Sequence, residues 1–234
     1  MHRLDSEREF HNSRFAGGDG KREPTRYYFG LERWYENYIT RILNGKAHHV
    51  LEIGSGLESI SLQMESCSFD LRSIDISEEA IDFMNRNNRR KNVHFDVQDA
   101  HKMSFANSSF DMVVGRGILH HLDLPIACEE IRRVLKPGGQ IVFGEPLDCN
   151  VLINMYRRLT PQLRTKDERP LSSKDLAVLR KNFGPLDVTY YGFLTLGPAL
   201  LGLRSPGFVH ELDNVILNRL GLGRFLAWAC ILSN

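Results

Sequence analysis

A chain of 234 residues, 42% of them hydrophobic and 25% charged, can bury a sizeable core in one globular domain, with or without an appendage. Its 30 basic and 29 acidic residues leave a net charge of +1, so no electrostatic footprint calls for nucleic acid or an anionic surface as the partner. Cys67, Cys128, Cys149 and Cys230 lack the spacing of a metal site and read as reduced thiols, and no apolar run approaches the length of a membrane span. The expected setting is cytoplasmic, without stable membrane insertion, and the default partner is a small molecule.

Residues 1–26 alternate charges with Gly17-Gly18-Asp19-Gly20 and close at Pro24, the composition of an arm outside the core. Phe10, His11, Arg14, Phe15, Tyr27, Tyr28 and Phe29 give this region more aromatic surface than a tail needs, which suits a lid over a ligand. From Leu31 to Leu43 the apolar residues recur at three and four, an amphipathic helix ending at Asn44-Gly45. Val50-Leu51-Glu52-Ile53-Gly54-Ser55-Gly56 then organises the chain: a short apolar run enters a tight glycine turn, as a buried parallel strand does beside a bound nucleotide or nucleoside.

Ile60, Leu62 and Met64 begin a short helix, and Phe69–Ile76 reads as a second strand with Asp75 at its carboxyl end. An acidic residue about 20 positions beyond a glycine turn, at the tip of the neighbouring strand, is placed to accept both hydroxyls of a ribose. Capping the next helix is its alternative use, for which Ser77 is better suited. A helix over Glu78–Lys91 turns Ala80, Ile81 and Met84 inward and Arg86, Arg89, Arg90 and Lys91 to solvent. Val93–Val97 is a third strand with Asp99 past its tip; Phe110–Gly115 is a fourth, followed by Arg116-Gly117-Ile118-Leu119-His120-His121 at the end where ligands of open α/β sheets collect. A helix over Ile126–Leu135 stops at Lys136-Pro137-Gly138-Gly139, and Gln140–Gly144 is a fifth strand leading to Glu145. The alternation implies a parallel sheet covered on both faces.

Beyond Glu145 the texture changes. Asn150–Leu159 is an apolar helix carrying Tyr156 and a basic end, Arg157-Arg158, and Leu163–Pro170 is a charged loop. Ser172-Ser173-Lys174-Asp175 caps a helix running to Phe183, Leu186–Phe193 is strand-like, Leu212–Leu220 is a short helix and Phe225–Leu232 a last strand. Leu194–Leu203 is glycine-rich and apolar, a stretch that packs on the core, lines an apolar pocket or touches a membrane.

VLEIGSG, Asp75 after Ser73-Ile74, QDA around Asp99, FDMVVGRGILHHL and LKPGGQIVF, in this order from Val50 to Gly144, together resemble the class I S-adenosylmethionine-dependent methyltransferases. The resemblance implies an α/β fold: a Rossmann-like, doubly wound seven-stranded sheet with helices on both faces and an antiparallel last strand, here Phe225–Leu232. It implies one methyltransferase domain over residues 27–234 behind a 1–26 lid, with 145–225 supplying acceptor-binding insertions. The implied cofactor is S-adenosyl-L-methionine, with S-adenosyl-L-homocysteine as product. On this resemblance Glu52, Gly54, Ser55 and Gly56 would border the cofactor's methionine end, and Arg116 would flank it through its backbone. Asp75 would hold the ribose hydroxyls, Ile76 would lie against adenine, Asp99 beside Ala100 would meet the adenine amino group, and Tyr28 would reach the cofactor from the arm. The family usually has a third glycine where this chain has Glu58, a carboxylate that would narrow the site or cap a helix.

Methyl transfer from a sulfonium is an in-line displacement, for which a protein positions the nucleophile and, for a hydroxyl, removes its proton. His121 and His120 are the candidate bases and Glu145, Tyr156 and Arg157 the candidate acceptor contacts, with no metal expected. Glu145–Pro161 resembles a subgroup related to ubiquinone and menaquinone methyltransferases and to enzymes that decorate natural products or saccharides. The expected reaction is O-methylation of such a small molecule. The alternatives are C-methylation of an isoprenoid or aromatic acceptor, and a non-catalytic S-adenosylmethionine-binding partner protein for which Glu58 is the best support; a homodimer is left open.

Overall fold

The computed structural model describes residues 8–13, 26–62, 68–159 and 169–234, the side chains of Tyr28 and Tyr156 lying outside the described residues. Seven strands form one sheet: β1 (His49–Ile53), β2 (Asp70–Asp75), β3 (Val93–Val97), β4 (Phe110–Arg116), β5 (Leu135–Pro146), β6 (Asp187–Tyr191) and β7 (Ala229–Ser233). Their order is β3-β2-β1-β4-β5-β7-β6, and β7 runs antiparallel to both neighbours while the pairs among β1 to β5 are parallel. The expected sheet and its antiparallel last strand are therefore present. Because β1 is flanked by β2 on one side and β4 on the other, the chain changes winding direction there and leaves a crevice at the carboxyl ends of β1 and β4.

Alternation along the central strands builds two cores. Leu51, Ile53, Val113, Ile141 and Phe143 face one layer, and Val50, Met112, Val114 and Val142 the other. The helices are α1 (residues 8–13), α2 (Glu32–Asn44), α3 (Glu78–Asn87), α4 (Leu124–Val134), α5 (Val151–Leu159), α6 (Ser173–Phe183), α7 (Leu196–Leu200), α8 (Gly207–Asn214) and α9 (Gly223–Leu226). On α2, Trp34, Tyr38 and Ile42 repeat every four residues and are buried, and Trp34 Nε1 donates to the Cys230 carbonyl at 2.9 Å, tying the helix to β7. Ser77 caps α3 by accepting from Ala80 N–H, the role the sequence gives it.

Several boundaries differ from expectation. α4 starts at Leu124 rather than Ile126, because Asp123 caps it and Pro125 occupies its first turn. The turn after Gly56 is a single 3₁₀ turn, Ile60–Leu62, with Met64 outside the described residues. The helix expected over Leu212–Leu220 begins at Gly207 and widens into a π turn at Val215–Arg219. The last strand begins at Ala229, and Phe225 instead belongs to α9. Leu194–Leu203 divides: Thr195, Leu196 and Ala199 are buried, whereas Leu201 and Leu203 are exposed. No helix of the described residues is long and apolar enough to cross a membrane.

Candidate active site

The glycine turn after β1 is built from the inside. Gly54 adopts φ +76° and Gly56 φ +48°, and a Cβ on Gly54 would stand 2.8 Å from the Ile118 side chain, so this position needs both the conformation and the space of glycine. The N–H groups of Gly54 and Ser55 donate to the Ile74 carbonyl at 2.8 and 3.2 Å, and Gly56 N–H donates to Asp75 Oδ2 at 2.8 Å. All three donors are thus engaged within the protein. The turn offers a shaped surface more than a row of free N–H groups.

Asp75 sits at the tip of β2 with Oδ2 on Gly56 and Oδ1 accepting from Ser77 N–H at 2.9 Å. Each oxygen keeps a second lone pair, so two ribose hydroxyls can still be accepted. Ile76, half-buried, follows it, and Ala100 is buried beside Asp99 at the neighbouring strand tip. His101 Nε2 accepts the Asp123 N–H at 2.9 Å, which places its proton on Nδ1, donated to Asp99 Oδ1 at 2.6 Å. His101 N–H donates to the same Oδ1, so Asp99 Oδ2 is the atom left for an exocyclic amine.

Glu52 is turned inward. Buried at the end of β1, it accepts from Ser59 Oγ (2.6 Å), Ser73 Oγ (2.5 Å) and Ile60 N–H (2.8 Å). Burial raises its pKa despite those hydrogen bonds, and its side chain braces the turn instead of facing the crevice. Glu58, in place of a third glycine, reaches across to Arg116 at the end of β4: Nη2 and Oε2 are 2.9 Å apart. The guanidinium carbon of Arg116 lies 4.6 Å from the centroid of the Tyr35 ring on α2.

His120 and His121 follow β4 in a 3₁₀ turn, Leu119–His121, but their settings differ. His120 is buried, with Nδ1 at 2.7 Å from Oε2 of Glu145, which is fully buried at the end of β5. Glu145 Oε1 accepts the N–H groups of Ile118 and Leu119, each at 2.8 Å. These two bonds fix the carboxylate, and the carboxylate fixes the imidazole. His121 packs on the His120 ring at 4.2 Å and on His11 edge to face at 5.7 Å. With Asn12 Oδ1 accepting from Ser77 Oγ at 2.7 Å, α1 bridges the segments after β2 and β4, across the mouth of the crevice.

The sequence-level candidates therefore gather at the carboxyl end of the sheet, with three exceptions. Arg157 directs Nη1 to the Leu147 carbonyl (2.8 Å) and Asn154 Oδ1 (2.9 Å), so it braces α5; the Tyr28 and Tyr156 side chains fall outside the described residues. Tyr35 and Tyr38 are missing from the candidates although their hydroxyls sit buried near Arg116 and Glu52. The only signal was their place on the inner face of the first long helix, which core packing explains equally well.

The methyltransferase domain family matches residues 51–143, from β1 through most of β5. The match to a methyltransferase domain is thus confined to residues 51–143, less than half of the chain. The chain is 36% identical over 125 residues to the demethylmenaquinone methyltransferase of Leptospira interrogans, covering 49% of this chain and 50% of the relative. The chain thus spans about half the length of the curated relative it matches. Among solved structures, the geranyl diphosphate C-methyltransferase of Streptomyces coelicolor A3(2) superposes with a TM-score of 0.66 at 13% identity, over 100% of this chain and 97% of that one. A Haloferax volcanii methyltransferase, solved in complex with the activator Trm112, gives 0.65 at 15% identity over 95% and 96%. At such identities these structures speak for the fold alone.

Proposed function

We propose that the protein transfers a methyl group from S-adenosylmethionine to a small-molecule acceptor that carries an acidic hydroxyl, with His120 as the general base. The observation that carries the reading is the buried Glu145–His120 pair at the carboxyl end of β4 and β5. Residues fit for the cofactor surround it: Asp75 has acceptor capacity for two hydroxyls, Asp99 Oδ2 for an amine, and Ile76 and Ala100 present apolar surface between them. When bound, the cofactor supplies an electrophilic methyl on a sulfonium.

The chain's own groups then manage the acceptor's proton. Glu145 holds the Nδ1 proton of His120, which makes Nε2 the basic nitrogen. On taking a proton from an acceptor hydroxyl, the imidazolium would be stabilised by the carboxylate 2.7 Å away. His121 packs against that ring with the two planes tilted by 39° and helps to keep it in place. The α1 segment, through His11 and Asn12, is placed to exclude water from the crevice once it is filled.

Deprotonating a phenol or enol activates both the oxygen and the adjacent carbon, so the same base serves O- and C-methylation. A further relative, from Coxiella burnetii, 26% identical and named as a ubiquinone/menaquinone biosynthesis C-methyltransferase, supports carbon as the target. O-methylation of the same acceptor is the second reading, supported by a base that one hydroxyl proton is enough to occupy.

The experiment has two arms. Calorimetric titration of S-adenosylhomocysteine into the wild type and Asp75→Ala should show a loss of about 1.5–3 kcal/mol in the variant, as a lost hydrogen bond to a charged group. Turnover with hydroxylated aromatic acceptors, read by the position of a ¹³C methyl in the product, then separates carbon from oxygen. Absence of nucleoside binding in the wild type would sink the methyltransferase reading and favour a scaffold role.

A further inference from the structure

The corner where β1, β4 and α2 meet holds charged and aromatic side chains that the acid–base reading leaves unused. Glu58 meets Arg116 Nη2 at 2.9 Å, and the guanidinium lies over the Tyr35 ring. Among the described residues Arg116 makes no other side-chain hydrogen bond, so most of its planar fork is available to an anion. The side chains of Arg116 and Glu58 are 26% and 53% exposed, too open for their pairing to contribute much to stability. Behind them, among the described residues, the hydroxyls of Tyr35, Tyr38 and Ser55 are buried without a hydrogen-bond partner, which calls for an occupant of the corner. The corner is one electrostatic unit: burial, with Glu58 and Glu52, pushes the Tyr35 hydroxyl up to about 12 against the pull of Arg116.

An ion pair is complementary to a zwitterion laid antiparallel beside it. An ammonium then sits against the carboxylate and a carboxylate against the guanidinium, four charges alternating in sign with the original pair intact. We propose that Glu58 and Arg116, with Tyr35 stacked on the guanidinium, form a clamp for a zwitterionic amino-acid group, the aminobutyrate end of S-adenosylmethionine. Arg116 takes the α-carboxylate and Glu58 the α-ammonium, while Tyr35 is a positioning residue. The proposal rests on the cofactor reading above and assigns to side chains what the glycine turn is poorly placed to do, since its own N–H groups are held by Ile74 and Asp75. On this account the exchange of a glycine for Glu58 is a gain of recognition rather than an obstruction.

S-adenosylhomocysteine and 5′-methylthioadenosine share the nucleoside and the thioether, and only the first carries the zwitterion, so their affinity ratio reads the clamp directly. In calorimetric titrations the wild type should prefer S-adenosylhomocysteine. Glu58→Gln and Arg116→Gln should each weaken that ligand about ten-fold or more and leave methylthioadenosine within about two-fold. Tyr35→Leu should show the same selective loss, whereas Tyr35→Phe, which keeps the ring, should not. Melting temperatures measured alongside report on folding, which these half-exposed residues should hardly affect. Equal loss of both ligands, no loss, or tighter S-adenosylhomocysteine binding by Glu58→Gln would overturn the clamp, the last by making Glu58 a competitor for Arg116. Wild-type protein that binds both nucleosides equally would end the clamp and leave the cofactor reading standing; protein that binds neither would end both.

Discussion

Glu145 is a buried carboxylate with both oxygens committed, one to two backbone N–H groups and one to an imidazole. Exchanging a single atom should therefore undo its function without undoing the fold. In Glu145→Gln the amide oxygen can keep the N–H groups of Ile118 and Leu119, but the amide nitrogen then faces His120 Nδ1 and forces the opposite tautomer, with the proton on Nε2. A fall in kcat of about 10²–10⁴ is expected, with S-adenosylhomocysteine affinity nearly unchanged. Steady-state rates and calorimetry on the same preparation decide it; an undiminished kcat would remove His120 from the role of base. The sequence reading sets His121 narrowly ahead of His120 as the base, with no geometry to rank them by. Their difference comes from residue 145, twenty-five positions away, which chain folding brings to one ring and not the other.

At the scale of elements, local chemistry was legible and long-range chemistry was not. Ser77 and the Ser172–Asp175 box cap their helices as their spacing predicts, because a cap needs only neighbours three residues apart. The apolar run Phe225–Leu232 was misread at its start because a short run without period fits helix and strand equally, and only pairing with β5 and β6 decides where β7 begins. Asp175 adds to the box an ion pair with Arg169 at 2.6 Å. Burial opposes its ionisation, but Arg169 and Ser172 prevail and hold its carboxyl at about 2, below the ordinary 3.8. A depressed folded pKa gives stability that is complete above the unfolded value and is lost as the pH falls toward 2. Asp175→Ala should thus cost about 1–2 kcal/mol at pH 7, and urea melts at pH 7, 4 and 2.5 should show the gap from wild type closing. A gap that persists at the lowest pH would assign the effect to packing instead. The α1 segment makes a second test at this scale. Asn12→Ala removes its hydrogen bond to Ser77 and should raise the acceptor KM by up to about ten-fold with little change in kcat; an unchanged KM would separate α1 from the site.

Across the whole molecule, Asp111 fastens three strands at the end of the sheet opposite the crevice. It accepts the N–H groups of His48 and His49 where β1 begins, at 3.0 and 2.8 Å, and pairs with Lys136 of β5 at 2.7 Å. Desolvation resists its charge, yet Lys136 and the two N–H groups bring its carboxyl down to about 2. Its contribution is likewise lost between about pH 4 and 2. Thermal melts should show Asp111→Asn flatter than wild type over that interval, and parallel curves would contradict the assignment. The overall sheet was readable because strand and helix alternate from Val50 to Gly144. The order of the last two strands has no such signature.

That order bears on how the chain assembles. The last strand in sequence, β7, lies between β5 and β6 and pairs with both, so β6 has no place in the sheet until residues 229–233 arrive. Until then β5 is an open edge, and Cys230, the pairing partner of Glu145, is absent from beside the buried carboxylate. During synthesis the half of the crevice made by β1, β2 and β3 can therefore take shape while the half that holds the His120–Glu145 pair stays unsealed. Closing the sheet is a contact of long sequence separation, the kind that slows folding, and it makes competence for chemistry one of the last properties the molecule acquires.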